Sequence, residues 1–179
     1  MARITVNETG TQPLVLISTD IANGNVQTGN IEGANVLSVT CLQDITITSS
    51  TGVFSWADFC SVDMNKLPTP ADNEVSMNIV IDNTGYFGAN TANVGASNKG
   101  IAYLSQNKTP IQFLVVWNYN ANVAAVTDGN ISSLTSNVAW SSGQGFITSL
   151  APTVSPDAPV FVTPITIAVN GTMYNGLET

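Results

Sequence analysis

Glu74-Val75-Ser76-Met77-Asn78-Ile79-Val80-Ile81 decides the fold. Val75, Met77, Ile79 and Ile81 recur at every second position, with Glu74, Ser76 and Asn78 between them. That alternation puts the apolar residues on one face of an extended strand and the polar ones on the other. The polar face is nearly uncharged. The pattern returns in Ile165-Thr166-Ile167-Ala168-Val169-Asn170-Gly171-Thr172-Met173, and Ile111 to Tyr119 reads as another strong strand. Val36 to Cys41, Ile45 to Thr48, Val53 to Trp56, Val138 to Trp140 and Gly145 to Leu150 add shorter ones. Such a series predicts a mainly β chain: a β-sandwich or rolled barrel of two antiparallel sheets.

The connections follow from the turn formers. Ser49-Ser50-Thr51-Gly52 reads as a turn. Lys66 to Asn73 reads as a loop, because Pro68 and Pro70 lack ladder donors. Asn83 to Asn90 is a turn entering a small-residue loop. Asn98 to Asn107 carries Ile101 and Leu104 at helical spacing and predicts one short flanking helix, ended by Lys108-Thr109-Pro110. Asn120 to Thr127 fits strand and helix equally. Pro152, Pro156 and Pro159 make an extended loop. Before Asn35 the chain reads as arm and loop: Ile4 and Val6 alternate, Leu14-Val15-Leu16-Ile17 is a short apolar run, and Asp20 to Gly33 contains three glycines. The expected organisation is a single domain over 1–179, with an arm-rich segment at 1–34 and a β-sandwich body at 35–179.

Charge is scarce. Only 9% of the residues are charged, against about 25% in a typical soluble domain. Four basic and twelve acidic residues give a net charge of −8, and histidine is absent. A compact monomer of 18.7 kDa would expose roughly 8,300 Å². Asn, Thr, Ser and Gln must supply the polarity of that surface, or much of it must be covered by something else. With Arg3, Lys66, Lys99 and Lys108 as the only cations, a phosphate-gripping surface is excluded.

Catalytic signatures are missing too. Without histidine there is no Ser-His-Asp or Cys-His centre and no histidine metal site. Gly95-Ala96-Ser97-Asn98-Lys99-Gly100 resembles a phosphate loop only superficially, since Ile101-Ala102 follow where Lys-Ser/Thr is required. The near carboxylate pairs Asp58/Asp63 and Asp72/Glu74 lie in or beside turn-like sequence, where Asp is simply favoured. The expectation is a protein that is not an enzyme, with no catalytic, cofactor-binding or metal-binding residues and no cofactor. Cys41 and Cys60 are either two buried thiols or a disulfide. No apolar signal core opens the chain and no stretch is long enough to span a membrane, so the expected place of synthesis is the cytoplasm. Sequons at Asn7, Asn107, Asn130 and Asn170 are expected by chance in so Asn- and Thr-rich a chain.

Three stretches together resemble the tail tube (major tail) proteins of tailed bacteriophages. Leu67 to Asp82 is similar to the family's loop and long inner-sheet strand. Lys99 to Val116 is similar to its short helix running through a polar turn into a strand. Gly145 to Val154 followed by Pro164 to Gly171 resembles its closing strand, loop and terminal strand. The likeness covers roughly the last 110 residues and rests on pattern more than on sharp motifs.

The resemblance implies six-fold rings that stack into a hollow tube, with inner sheets joined into one barrel and long loops or arms docked on the adjacent ring. Such a tube houses the tape-measure protein and conducts DNA into the host. The implied partners are further copies of the chain, the tape-measure protein, baseplate and tail-terminator proteins and, in a contractile tail, a sheath. DNA passes without specific binding, and the chain does not insert into membrane. The implied location is the virion tail, assembled in the host cytoplasm. On this reading Glu74, Ser76, Asn78, Thr166, Ala168 and Asn170 face the lumen, and Val75, Met77, Ile79, Ile81, Ile165, Ile167 and Val169 fill the core. The arm role falls to the Gly-rich segment 20–34 or to the amino terminus. The alternative is a capsid decoration or head-fibre protein, and behind it a pilin-like or carbohydrate-binding β-module.

Overall fold

The computed structural model describes residues 11–22, 24–31, 36–39, 42–57, 63–81, 83–88, 96–120, 138–154 and 160–178. Its strands are β1 (Thr11–Ser18), β2 (Leu37–Val39), β3 (Leu42–Trp56), β4 (Asn65–Val80), β5 (Ile111–Asn120), β6 (Val138–Leu150), β7 (Val162–Val169) and β8 (Tyr174–Glu178). Two helices, α1 (Asn83–Phe87) and α2 (Ala96–Gln106), lie between β4 and β5. α2 is the expected helix, with a break at Gly100.

All eight strands belong to one antiparallel sheet in the order β2-β1-β5-β6-β7-β4-β3, with β8 pairing the start of β6. The sheet rolls on itself. Ser38 and Val39 near one end of the order line a small cavity together with Ile79 and Val80 near the other end, and with Tyr86 and Ile101 from the helices. A single buried cluster draws on Val15, Leu37, Val75, Ile111, Ile147 and Ile167 from six strands, with Ile101 and Leu104 of α2. The two layers of the expected sandwich are therefore two halves of one continuous rolled sheet.

β1 corrects the reading of residues 1–34 as arm and loop. Val15 and Ile17 enter the main core, while Leu14 and Leu16 enter a second cluster with Leu114, Val116, Val138 and Trp140. A strand buried on both faces shows no alternation, only a continuous apolar run. The described part of segment 20–34 is packed on its own sheet. Ile31 is fully buried in the second cluster. Gln112 Nε2 donates to the Asn30 carbonyl at 2.8 Å, and the Ser142 hydroxyl donates to the Val26 carbonyl.

Five further expectations change. Ser49 to Gly52 lies within β3, so Val53 to Trp56 continues that strand. Lys66 to Asn73 is part of β4, paired with β3. Upstream of Glu74 no strand other than β3 pairs with β4 among the described residues, and prolines are tolerated on such an edge. Val138 to Trp140 and Gly145 to Leu150 are one strand. The final alternating run ends at Val169, because Gly171 adopts φ 89 and turns the chain into β8. Asn83 to Phe87, expected as a turn, forms the short helix α1. Cys41, Cys60 and residues 121–130 lie outside the described residues.

Candidate functional site

The outer face of β3, β4 and β7 is built in register. Asp44 stands opposite Asn78 and Asn78 opposite Pro164, while Thr46, Ser76 and Thr166 form the next row. Thr48, Glu74 and Ala168 form the third. None of these nine side chains is basic. The alternation at Asp44-Ile45-Thr46-Ile47-Thr48 is equally visible in the sequence, so β3's share of this wall was available from the same signal.

Hydrogen bonds fix the wall's polar groups. Asn78 donates its backbone N–H to Asp44 Oδ1 at 3.2 Å, and its Nδ2 lies 3.0 and 2.8 Å from the two Asp44 oxygens. The Ser76 hydroxyl donates to Glu74 Oε1 at 2.9 Å. On the β6 side the Thr148 hydroxyl donates to the Thr166 carbonyl at 3.2 Å. Both carboxylates are thus engaged by neutral donors along the strands, which holds them in the wall without a cation. Glu74 and Asn170 are exposed, whereas Ser76, Asn78, Thr166 and Ala168 are half-buried along the same surface.

The interleaved residues point the other way. Val75, Met77, Ile79, Ile165 and Ile167 are buried in the main core, and Val169 packs against it. Ile81 is half-buried just past the end of β4, where its N–H donates to the Phe161 carbonyl at 2.8 Å.

The second feature is a ribbon that no motif announced. β7 accompanies β4 only from Glu74 onward, whereas β3 and β4 stay paired out to Trp56 and Asn65. The distal hairpin is therefore two strands with no third neighbour among the described residues. It carries a register shift where Thr69 and Pro70 stand opposite Gly52. Val53, Phe54 and Leu67 are between 57% and 60% exposed, and Phe54 stacks on Trp56 with ring centroids 5.8 Å apart. Isolated two-stranded ribbons are marginal in water, and clustered exposed apolar residues mark interaction surfaces.

The remaining described cations keep away from the wall. Lys66 sits on the ribbon, Lys99 lies within α2 with its Nζ 4.8 Å from the centre of the Tyr103 ring, and Lys108 follows the end of that helix. Tyr86, buried beside α2, has its phenol pKa raised by desolvation. Among the described residues no group of three His, Cys, Asp or Glu side chains could hold a metal ion. No helix among them is long and apolar enough to cross a membrane.

No family model and no curated protein matches the sequence. Solved structures do match the fold. A chain of the native gene transfer agent virion superposes with a TM-score of 0.53 at 12% identity, covering 96% of this chain and 99% of that one. A chain of the empty gene transfer agent tail, a C6-symmetric assembly, gives 0.52 at 11% identity, covering 92% and 96%. The SPP1 tail tube gives 0.53 at 16% identity, covering 97% of this chain and 80% of its own. The chain has the tail-tube fold over almost its whole length.

Proposed function

We propose that the protein is the structural subunit of a phage tail tube, forming six-fold rings that stack around an open lumen. The observation that carries this reading is the two-faced inner sheet, on a fold shared with tail tubes from end to end. One face is a packed core; the other is a wall of Ser, Thr and Asn with the carboxylates of Asp44 and Glu74. DNA carries dense negative charge and binds wherever cations gather. A wall with acids and no cation attracts none of it, so DNA slides without sticking.

In this reading Glu74, Ser76, Asn78, Thr166, Ala168 and Asn170 line the lumen together with Asp44, Thr46 and Thr48. The β3–β4 ribbon, rather than segment 20–34, is the arm that reaches the adjacent ring. Free sheet edges pair between neighbouring subunits, which also removes them as aggregation sites. The tube then encloses the tape-measure protein, joins baseplate and terminator proteins at its ends and belongs to the virion tail. The role is structural and uses no cofactor.

Negative-stain microscopy of the purified protein tests the proposal. Rings or tubes with a central hole are the expected result. Stable monomers or trimers would overturn it, trimers favouring a capsid decoration or head-fibre protein instead. A ring structure with Glu74 and Asn78 on its outer wall would also overturn it.

A further inference from the structure

We propose that Asn170 is a self-modification site, whose side-chain amide is lost to attack by the next backbone nitrogen and replaced by a carboxylate. The sequence holds three Asn-Gly pairs, beginning at Asn23, Asn170 and Asn175. Asn23 lies outside the described residues, and the fold treats the other two differently.

Asn-Gly favours this chemistry because glycine has no Cβ to keep its own nitrogen from approaching the preceding side chain. The Gly171 nitrogen attacks Cγ of Asn170, and the new C–N bond closes a cyclic imide. The Cγ–Nδ2 bond breaks, and the side-chain nitrogen leaves as ammonia with the proton that the Gly171 N–H gives up. Water then opens the ring at either imide carbonyl, giving aspartate or its isomer linked through the side chain. Water is the only co-reactant.

Asn170 is free to react. It is exposed just past the end of β7, with its own N–H anchored to the Gln144 carbonyl at 2.7 Å. Beyond that anchor the chain is open. Gly171 has φ 89, and nothing lies within 4 Å of where a Cβ would stand on it. Among the described residues no backbone carbonyl accepts its N–H. Gly171 also lines an open groove of about 540 Å³ with Thr172, Met173 and Asn175, so water reaches the imide.

Asn175 is held. It and Gly176 stand in β8, opposite Ser141 and Trp140 of β6. The Ser141 hydroxyl donates to Asn175 Oδ1 at 2.6 Å, and the Trp140 ring stands 2.4 Å from where a Gly176 Cβ would be. Both asparagine side chains are exposed, so exposure does not separate the sites. Freedom of backbone and side chain does, because ring closure at Asn175 requires these contacts to open first.

The product alters the wall. Residue 170 continues the alternation of Thr166 and Ala168, and Ala168 stands opposite Glu74. Conversion takes the chain from −8 to −9. This consequence rests on the tube reading, in which each subunit then adds one carboxylate to the lumen.

Peptide mapping by mass spectrometry tests the site. The wild-type protein is incubated at mildly alkaline pH, folded and in denaturant, then cut after Tyr174 so that the two asparagines fall on separate peptides. In denaturant both should convert at similar rates. In the folded protein the Asn170 peptide should show the amide-to-acid mass gain and the isomer about tenfold or more faster than the Asn175 peptide. Each tenfold needs only about 1.4 kcal/mol of restraint. Equal rates in the folded protein, or an Asn170 peptide that stays unconverted, overturn the site. Assembled tubes test the consequence. Conversion that continues in tubes supports the acidified wall, and conversion confined to free subunits overturns it. A protein that forms no tubes sinks the tube reading, whereas the peptide result still decides the site.

Discussion

In the proposed tube, reversing the charge of the wall should turn a passage for DNA into a binding site for it. Glu74→Lys with Thr46→Lys is the suitable pair. Both positions are exposed, and the Asp44–Asn78 hydrogen bonds stay intact. Glu74→Lys adds two charges and Thr46→Lys adds one, so the chain moves from −8 to −5. In a six-fold ring this places about twelve lysines around each turn of lumen. If about six of them meet phosphates, the logarithmic salt slope is about −5, and affinity falls roughly 10³-fold between 50 and 200 mM salt. The folding cost should be small, because surface exchanges stay within about 0.5 kcal/mol and Glu74 loses one exposed hydrogen bond. The assay incubates preformed tubes with a short labelled duplex and follows retention against salt, with nuclease protection reporting whether the DNA lies inside. Wild-type tubes should retain none. Variant tubes that bind no more than wild type, or bind DNA that nuclease digests freely, would refute the assignment of this face to the lumen.

Other predictions address the fold itself. Ile167→Ala removes a fully buried side chain paired to Val75 and Ile147 and should cost about 2–5 kcal/mol, lowering the melting temperature by several degrees; Thr166→Ala, one residue along, should cost less than about 0.5 kcal/mol. Gly176→Ala would place a Cβ 2.4 Å from the Trp140 ring, so either β8 or the indole must move, at about 1–3 kcal/mol read by denaturant unfolding. Gln112→Glu places a carboxyl where burial raises its folded pKa above the unfolded value of about 4.3. The variant should therefore approach wild-type stability below that pH and lose stability progressively as pH rises through the folded value, as pH-dependent melts will show. Spectroscopic titration should find one tyrosine ionising above the usual value of 10.0, and Tyr86→Phe should remove it.

The period-two signal made the wall legible, and its limits explain what stayed hidden. Alternation at Glu74 to Ile81 and at Ile165 to Val169 survives because each strand has one polar and one apolar face. β1 was missed for the opposite reason, since burial on both sides erases the alternation at Leu14 to Ile17. The distal ribbon was missed because its local chemistry is that of loops. Ser-Thr-Gly and Pro-Thr-Pro are turn signals wherever nothing else holds the backbone extended. Here thirteen cross-strand partners between Leu42 and Trp56 on β3 and Asn65 and Ile79 on β4 hold it, and pairing of that kind leaves no trace in residue type.

β4 shows why the chain can have so little charge. From Glu74 to Val80 it is flanked by β3 and β7, with one face in the core and the other on the wall. Charges are excluded from the first face by desolvation and, in the proposed tube, positive ones are excluded from the second by the need not to hold DNA. Upstream of Glu74 the strand loses β7 and continues as a two-stranded ribbon, where Pro68 and Pro70 lack donors and Phe54 and Leu67 are exposed; in the proposed tube these residues meet another copy. Core and wall thus exclude most charge for two different reasons, whereas residues 52–73 keep Asp58, Asp63, Lys66 and Asp72. In the proposed tube, where neighbouring copies cover much of the subunit, scarce charge on core and wall is what assembly requires.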